Sequence, residues 1–334
     1  MTMGFPFNLY LLAFGSSLVA ALISLPAWRH WCSKIGLVDD PGHRKIHDQP
    51  VALAGGFAVM TGLLFSVLGG AIAVSLSTPP GAEEPFFGTE TTELLKYGLH
   101  RRAGQLIAIL LGATAMFFLG WLDDKHEFRP AAKFGGQLLI AILVAVSGVR
   151  ITLFVPNVLF SYVITILWIL TVTNAFNFMD NMNGLCAGIG TISAWQFALS
   201  AAVHGQYLVA MLALATCGAL LGFLPYNFPK AIAFLGDAGS HLTGFLMAVL
   251  AILPHFYSEE HQNAWAVLSP LLILGVPLGD LVWVVILRWR MGRPFYLGDT
   301  NHFSHRLTRR GLSRSQAVAL IWLIATIVGS VTFL

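Results

Sequence analysis

Ten apolar runs divide this chain, and its concentrated acidic, basic and histidine clusters all fall after every second run. The runs cover about residues 8–27, 51–77, 103–122, 134–149, 158–173, 184–203, 206–225, 238–254, 264–287 and 315–334. A helix that crosses a bilayer needs roughly 20 mostly apolar residues, because lipid satisfies none of its backbone polar groups. The pattern predicts an all-α integral membrane protein of about 10–11 transmembrane helices, with residues 1–334 as a single polytopic domain. Only 10% of residues are charged and mean hydropathy is +0.74, which excludes an ordinary soluble protein. The fourth run is short, the sixth and seventh are nearly continuous, and proline and glycine interrupt the ninth.

The first run has no basic residue before it and meets its first one at Arg29, the reverse of a secretory leader, so it reads as a retained helix. Cys32, Cys186 and Cys217 have neither disulfide-framework nor metal-ligand spacing and read as packing residues. Fifteen of the 19 Lys and Arg residues follow runs one, three, five, seven and nine. Lys96, Arg101, Arg102 and Arg150 are the exceptions. The positive-inside rule then puts both termini outside and the five polar loops in the cytoplasm. Residues 78–102, with Pro79-Pro80-Gly81, read as an extracytoplasmic linker with a short surface helix.

Each of the five loops carries its own chemistry. In the first, Asp-Pro-Gly is a turn signal, and Arg44, Lys45 and His47 suit a phosphate or flank a membrane helix. In the second, Asp123 and Asp124 stand at the end of a run, with Lys133 and Gln137 following. Carboxylates at a membrane boundary are costly unless solvated, paired or metal-bound, and such a pair suits Mg²⁺ shared with substrate phosphates. The third places Asn174, Asn177 and Asn181 three and four residues apart, on one face if helical, with Asp180 between them. The fourth has Asn227, then Phe234, Gly236, Asp237 and Gly239, where glycines would let backbone N–H groups approach a phosphate. The fifth carries Asp299, His302, His305 and Arg306. No cysteine or third histidine stands near its two histidines, which argues against zinc. Asp280, after Pro277, is the one acid expected within the membrane and reads as structural at a kinked helix.

Taken together, these motifs resemble the polyprenyl-phosphate N-acetylhexosamine-1-phosphate transferases of glycosyltransferase family 4, from Asp39 to the last run. The resemblance implies transfer of a sugar-1-phosphate from a UDP-sugar to undecaprenyl phosphate, releasing UMP. It implies Asp237 as ligand of a catalytic Mg²⁺ (or Mn²⁺) with Asn177 as co-ligand, and Asp123 and Asp124 as the acidic pair, Asp123 engaging the lipid phosphate. Phe234 would stack on uracil, and Lys133, Arg306 and His302 would hold phosphate and sugar. Asn174, Asn227, Asp180 and His305 would shape the pocket, with Lys45 and His47 also on the substrate. The partners implied are the nucleotide sugar, the lipid and the membrane, with no nucleic acid; a homodimer is compatible with this reading.

The chain departs from the family pattern at Val51-Ala52-Leu53-Ala54, which lacks a Pro-Arg pair, and at Asn181, Asn183 and Ser304. His302-Phe303-Ser304-His305-Arg306-Leu307 is closer to the members that use UDP-N-acetylglucosamine than to the phospho-MurNAc-pentapeptide transferases. A transporter is the rival of another class. Transporters concentrate ionisable residues near the midplane, commonly within inverted repeats. Here Asp280 alone approaches that depth, and no repeat is found.

Overall fold

The computed structural model describes residues 4–40, 49–76, 89–152, 155–254, 267–294 and 300–334. Twelve α-helices dominate the described residues: α1 Phe7–Lys34, α2 Gly55–Leu76, α3 Thr89–His126, α4 Pro130–Val146, α5 Val158–Met179, α6 Leu185–Val203, α7 Tyr207–Phe223, α8 Gly236–Leu250, α9 Ser269–Ile273, α10 Gly275–Arg290, α11 Phe303–Arg309 and α12 Arg314–Ser330. Two short strands, β1 Val38–Asp39 and β2 Val51–Ala52, pair antiparallel at the foot of α1 and α2. Seven of the helices are long and apolar enough to cross a membrane. The protein is an all-α, multi-pass membrane protein.

Local signals set the helix limits. Pro130 opens α4 behind an extended Arg129, where a missing N–H costs nothing. The Asn157 side chain accepts from Phe160 N–H at the head of α5, and Ser313 with Gln316 forms a capping box on α12. Gly205, at φ 65°, separates α6 from α7 within an otherwise unbroken apolar stretch.

Three departures from the sequence reading have physical causes. The fourth, eighth and ninth runs give helices of only 17, 15 and 16 residues in α4, α8 and α10. Helix α8 tolerates this because it is enclosed: every residue from Ala238 to Leu250 is buried. It packs against α2, α3, α5 and α6 and meets protein where an outer helix would meet lipid. The predicted surface helix and the third run are a single 38-residue helix, α3. The ninth run breaks at Leu274, between α9 and α10 and just ahead of Pro277.

The core is rich in alanine and glycine, which lets helices approach closely, and aromatic rings fill the seam where Phe57 lies 4.9 Å from Phe117 and 5.1 Å from Trp28. Exposed apolar side chains such as Ile23, Leu143, Leu159 and Val203 form the outer, lipid-facing surface. All three cysteines are buried and free.

Candidate active site

The polar loops meet at one end of the bundle, and Lys133 is the hub. Its ammonium lies 2.8 Å from Asp123 Oδ2, 2.7 Å from Asp237 Oδ2 and 3.5 Å from Asn177 Oδ1. Asn177 Nδ2 in turn donates to Asp237 Oδ1 at 2.7 Å and to Ser240 Oγ at 2.9 Å. Four helices therefore supply one cluster: the end of α3, the start of α4, the end of α5 and the start of α8. One turn below it, Asn174 Nδ2 donates to Gln137 Oε1 at 2.7 Å, which ties α5 to α4 beneath the site.

The adjacent acids of α3 play different parts. Asp123 is 7% exposed and accepts from Phe128 N–H while facing Lys133. Asp124 accepts the backbone N–H groups of Asp237 and Ala238 at 2.8 and 3.0 Å, capping α8 with a carboxylate where its dipole favours one. At the glycine-flanked start of α8, Asp124 takes the N–H groups of Asp237 and Ala238. Gly236 has φ 71°, and a Cβ at that position would lie 2.8 Å from Asp124 Oδ2. Glycine is what allows the chain to turn into the cap.

Asp180 follows α5, and its carboxyl is pushed up to about 8 by burial and by the charges of Asp237 and Asp124. Asp123 and Asp237 set two carboxylates against the single Lys133 ammonium. That surplus of hard oxygen donors fits a divalent cation such as Mg²⁺, which commonly takes one or two carboxylates and leaves its other positions to phosphate and water. No group of three His, Cys, Asp or Glu side chains forms a complete metal cage among the described residues.

Asn227 is buried, and both ends of its amide bind backbone: Oδ1 accepts from Gly184 N–H and Nδ2 donates to Ala233 O at 2.9 Å. It clips the third loop to the fourth. Phe234 is held by its main chain, donating to Ala52 O at 2.9 Å and accepting from Gly55 N–H at 2.8 Å, so the first loop's strand sets the position of its ring. Asn181 lies past the end of α5, off the face shared by Asn174 and Asn177, and accepts from Ser304 Oγ at 2.6 Å. Lys45, His47 and Asp299 lie outside the described residues.

The fifth loop is anchored from within the bundle. Asp280 of α10, 5% exposed, accepts from His302 Nδ1 and from Phe303 N–H, both at 2.7 Å. A carboxylate only accepts, so Nδ1 carries the hydrogen and Nε2 is left for other partners. The acid expected to serve a helix kink is the one that orients His302. The His305 ring centroid lies 6.4 Å from that of His302, and burial together with the nearby His302, Arg309 and Arg314 draws its pKa down. Arg306 lies 4.6 Å over the Trp283 ring. Arg288, counted in sequence among the loop cations, is 1% exposed within α10, with its guanidinium 5.0 Å from the Phe178 ring.

The sequence that builds this site has relatives. A family model described as glycosyl transferase family 4 matches residues 106–255, which contain every member of the Lys133 cluster. A probable undecaprenyl-phosphate N-acetylglucosaminyl 1-phosphate transferase of Bacillus subtilis is 33% identical over 323 residues, covering 94% of this chain and 82% of that protein. The chain belongs to glycosyl transferase family 4. A decaprenyl-phosphate N-acetylglucosaminephosphotransferase of Mycobacterium tuberculosis is 30% identical over 342 residues, covering 93% of this chain and 79% of that relative. An undecaprenyl-phosphate alpha-N-acetylglucosaminyl 1-phosphate transferase of Salmonella typhi is 29% identical over 314 residues, covering 89% and 76%.

In this glycosyl transferase, Asp280 and the fifth loop lie outside the matched segment, and their contribution is open to a direct test. Asp280→Asn keeps the size of the side chain but removes the charge that receives both N–H groups. Turnover is expected to fall about 10²-fold, near 2.7 kcal/mol, with a smaller change in thermal stability. Turnover within about threefold of the parent, below 1 kcal/mol, would show that Asp280 does not act through His302.

Proposed function

We propose that the protein transfers N-acetylglucosamine-1-phosphate from UDP-N-acetylglucosamine to undecaprenyl phosphate, yielding the lipid diphosphate sugar and UMP. The observation that carries this reading is the Lys133 cluster, in which Asp123, Asn177 and Asp237 from three loops meet one ammonium within 3.5 Å. The names of the relatives supply the sugar-phosphate and polyprenyl-phosphate chemistry. The site end of the bundle would face the cytoplasm of a bacterial inner membrane, where the nucleotide sugar is found, with both termini on the other side. That orientation follows from the distribution of basic residues.

Phosphoryl transfer is governed by positioning and charge neutralisation. In this reading an oxygen of the lipid phosphate attacks the β-phosphorus of the donor, the bond to the bridging oxygen breaks, and UMP leaves with that oxygen. Asp123 would orient the incoming lipid phosphate, and Lys133 would offset charge on the transferred group. Asp237, with Asn177 Oδ1, would hold Mg²⁺, whose role when bound is to neutralise the donor diphosphate. Asp124 would keep Asp237 in place through the α8 cap. Phe234 would stack on uracil, and His302, His305 and Arg306 would line the sugar side.

The test is UMP release by purified protein in detergent with UDP-N-acetylglucosamine, undecaprenyl phosphate and Mg²⁺. Release that needs lipid and stops with EDTA is the expected result. Release with UDP-MurNAc-pentapeptide alone would move the protein to the peptidoglycan branch. Silence with every UDP-sugar would overturn the transferase reading and favour a transporter.

A further inference from the structure

At the end of the bundle away from the active site lies a cavity of about 560 Å³. It is lined by the head of α3 together with α2 and α7. Val74 and Leu95 of a small apolar cluster line it, together with Ile109 and Leu212 of the main core. Its walls are mostly apolar, yet Arg101, Arg102 and Arg150 also line it. These are three of the four basic residues that fall on this side of the sequence pattern. Arg101 lies about 33 Å along α3 from Asp123 at 1.5 Å per residue, close to the thickness of a bilayer's hydrocarbon core.

The arginines are held by neutral partners. Arg101 donates to Tyr97 Oη at 3.2 Å, Arg102 donates to Gln105 Oε1 at 3.0 Å, and Arg150 lies 5.5 Å over the Tyr162 ring. Among the described residues none of the three forms an ion pair with a carboxylate. An apolar chamber of ligand size beside three such guanidinium groups at a membrane interface has the chemistry of an anionic lipid: chains for the chamber, a phosphate for the arginines. The exposed Leu94 and Tyr97 at the rim give the chains a route from the bilayer.

We propose that this cavity binds an anionic phospholipid of the leaflet opposite the active site, its acyl chain in the chamber and its phosphate on Arg101, Arg102 and Arg150. The site stands apart from the Lys133 cluster and does not depend on the transferase reading.

The test is photo-crosslinking of the full chain in phosphatidylcholine vesicles carrying a small fraction of diazirine-tailed phosphatidylglycerol or, separately, diazirine-tailed phosphatidylcholine. Labelled peptides are mapped by mass spectrometry. Phosphatidylglycerol is expected to label α2 and α3 around Val67 and Leu106 at least about tenfold more than phosphatidylcholine, since each basic side chain adds several-fold near an anionic headgroup. The R101Q/R102Q/R150Q variant should reduce that preference to parity. Gly70→Phe should abolish labelling by either lipid, because Gly70 lines the cavity and a Cβ there meets no atom within 4 Å. Equal labelling by the two lipids in the parent, or undiminished labelling in Gly70→Phe, would overturn the proposal. Should the triple variant fail to fold, Gly70→Phe and the comparison of lipids decide the matter alone.

Discussion

Asp237→Ala is expected to lower turnover by at least about 10³-fold, close to 4 kcal/mol of transition-state stabilisation. The two oxygens of this carboxylate serve different partners, Oδ2 receiving the Lys133 ammonium and Oδ1 the Asn177 amide, both at 2.7 Å. Its removal takes away one of the two hydrogen bonds from Asn177 of α5 to α8, leaving the one to Ser240 Oγ, and deprives the proposed cation of its principal oxygen ligand. Lys133 retains Asp123 at 2.8 Å, so no buried ammonium is left alone and the fold should survive. The signature to look for is lost turnover with an unfolding temperature close to the parent. Activity within tenfold of the parent, about 1.4 kcal/mol, would remove Asp237 from the centre of the reaction.

The second large effect comes from a residue with no functional group. Gly120 of α3 faces the first turn of α8, and a Cβ there would overlap the Asp237 carbonyl and come within 2.6 Å of Ala238 N. Gly120→Val must push α3 and α8 apart. It would lengthen both hydrogen bonds from α8 to Asp124 and draw Asp123 away from Lys133. Overpacking of this kind costs about 1–3 kcal/mol of stability, and a displacement near 1 Å at a reacting centre costs about 10²-fold in rate. Gly104→Ala is the control, since its Cβ would meet nothing within 4 Å in the same helix. Comparable turnover and unfolding temperature in the two variants would show that the α3–α8 approach is not critical.

Most of the membrane architecture was legible because a bilayer imposes length and apolarity on any helix that faces it. The reading weakened where lipid ceases to be the neighbour. Helix α8 is short because it is enclosed, and the head of α3 continues as helix through residues whose polarity suggested a surface element. The site's membership was legible as residue types in loops, and Asp123, Lys133, Asn177 and Asp237 do come together. The division of labour within it was not. Two adjacent aspartates look alike in sequence, yet one faces the lysine and the other caps a helix more than a hundred residues away. Asp280 was visible as a buried acid, but its partner His302 lies 22 residues further on, across residues with no spacing rule to connect them. Arg288 gave no signal at all, since a cation at the end of an apolar run reads as a flank until packing shows it enclosed.

Helix α8 carries Asp237 at its tip and touches other helices from Ala238 to Leu250. The chain is therefore partitioned into an inner post and an outer sleeve. Changes in bilayer thickness, lipid composition or surface apolar residues act first on the sleeve, at positions such as Ile23, Leu143 and Val203. Such positions tolerate exchange among apolar residues, because one hydrocarbon surface suits lipid about as well as another. Positions along the post have no such latitude, since each is bounded by a neighbouring helix. A protein built this way can meet a different membrane through changes in its sleeve while the carboxylate at the head of the post keeps its place.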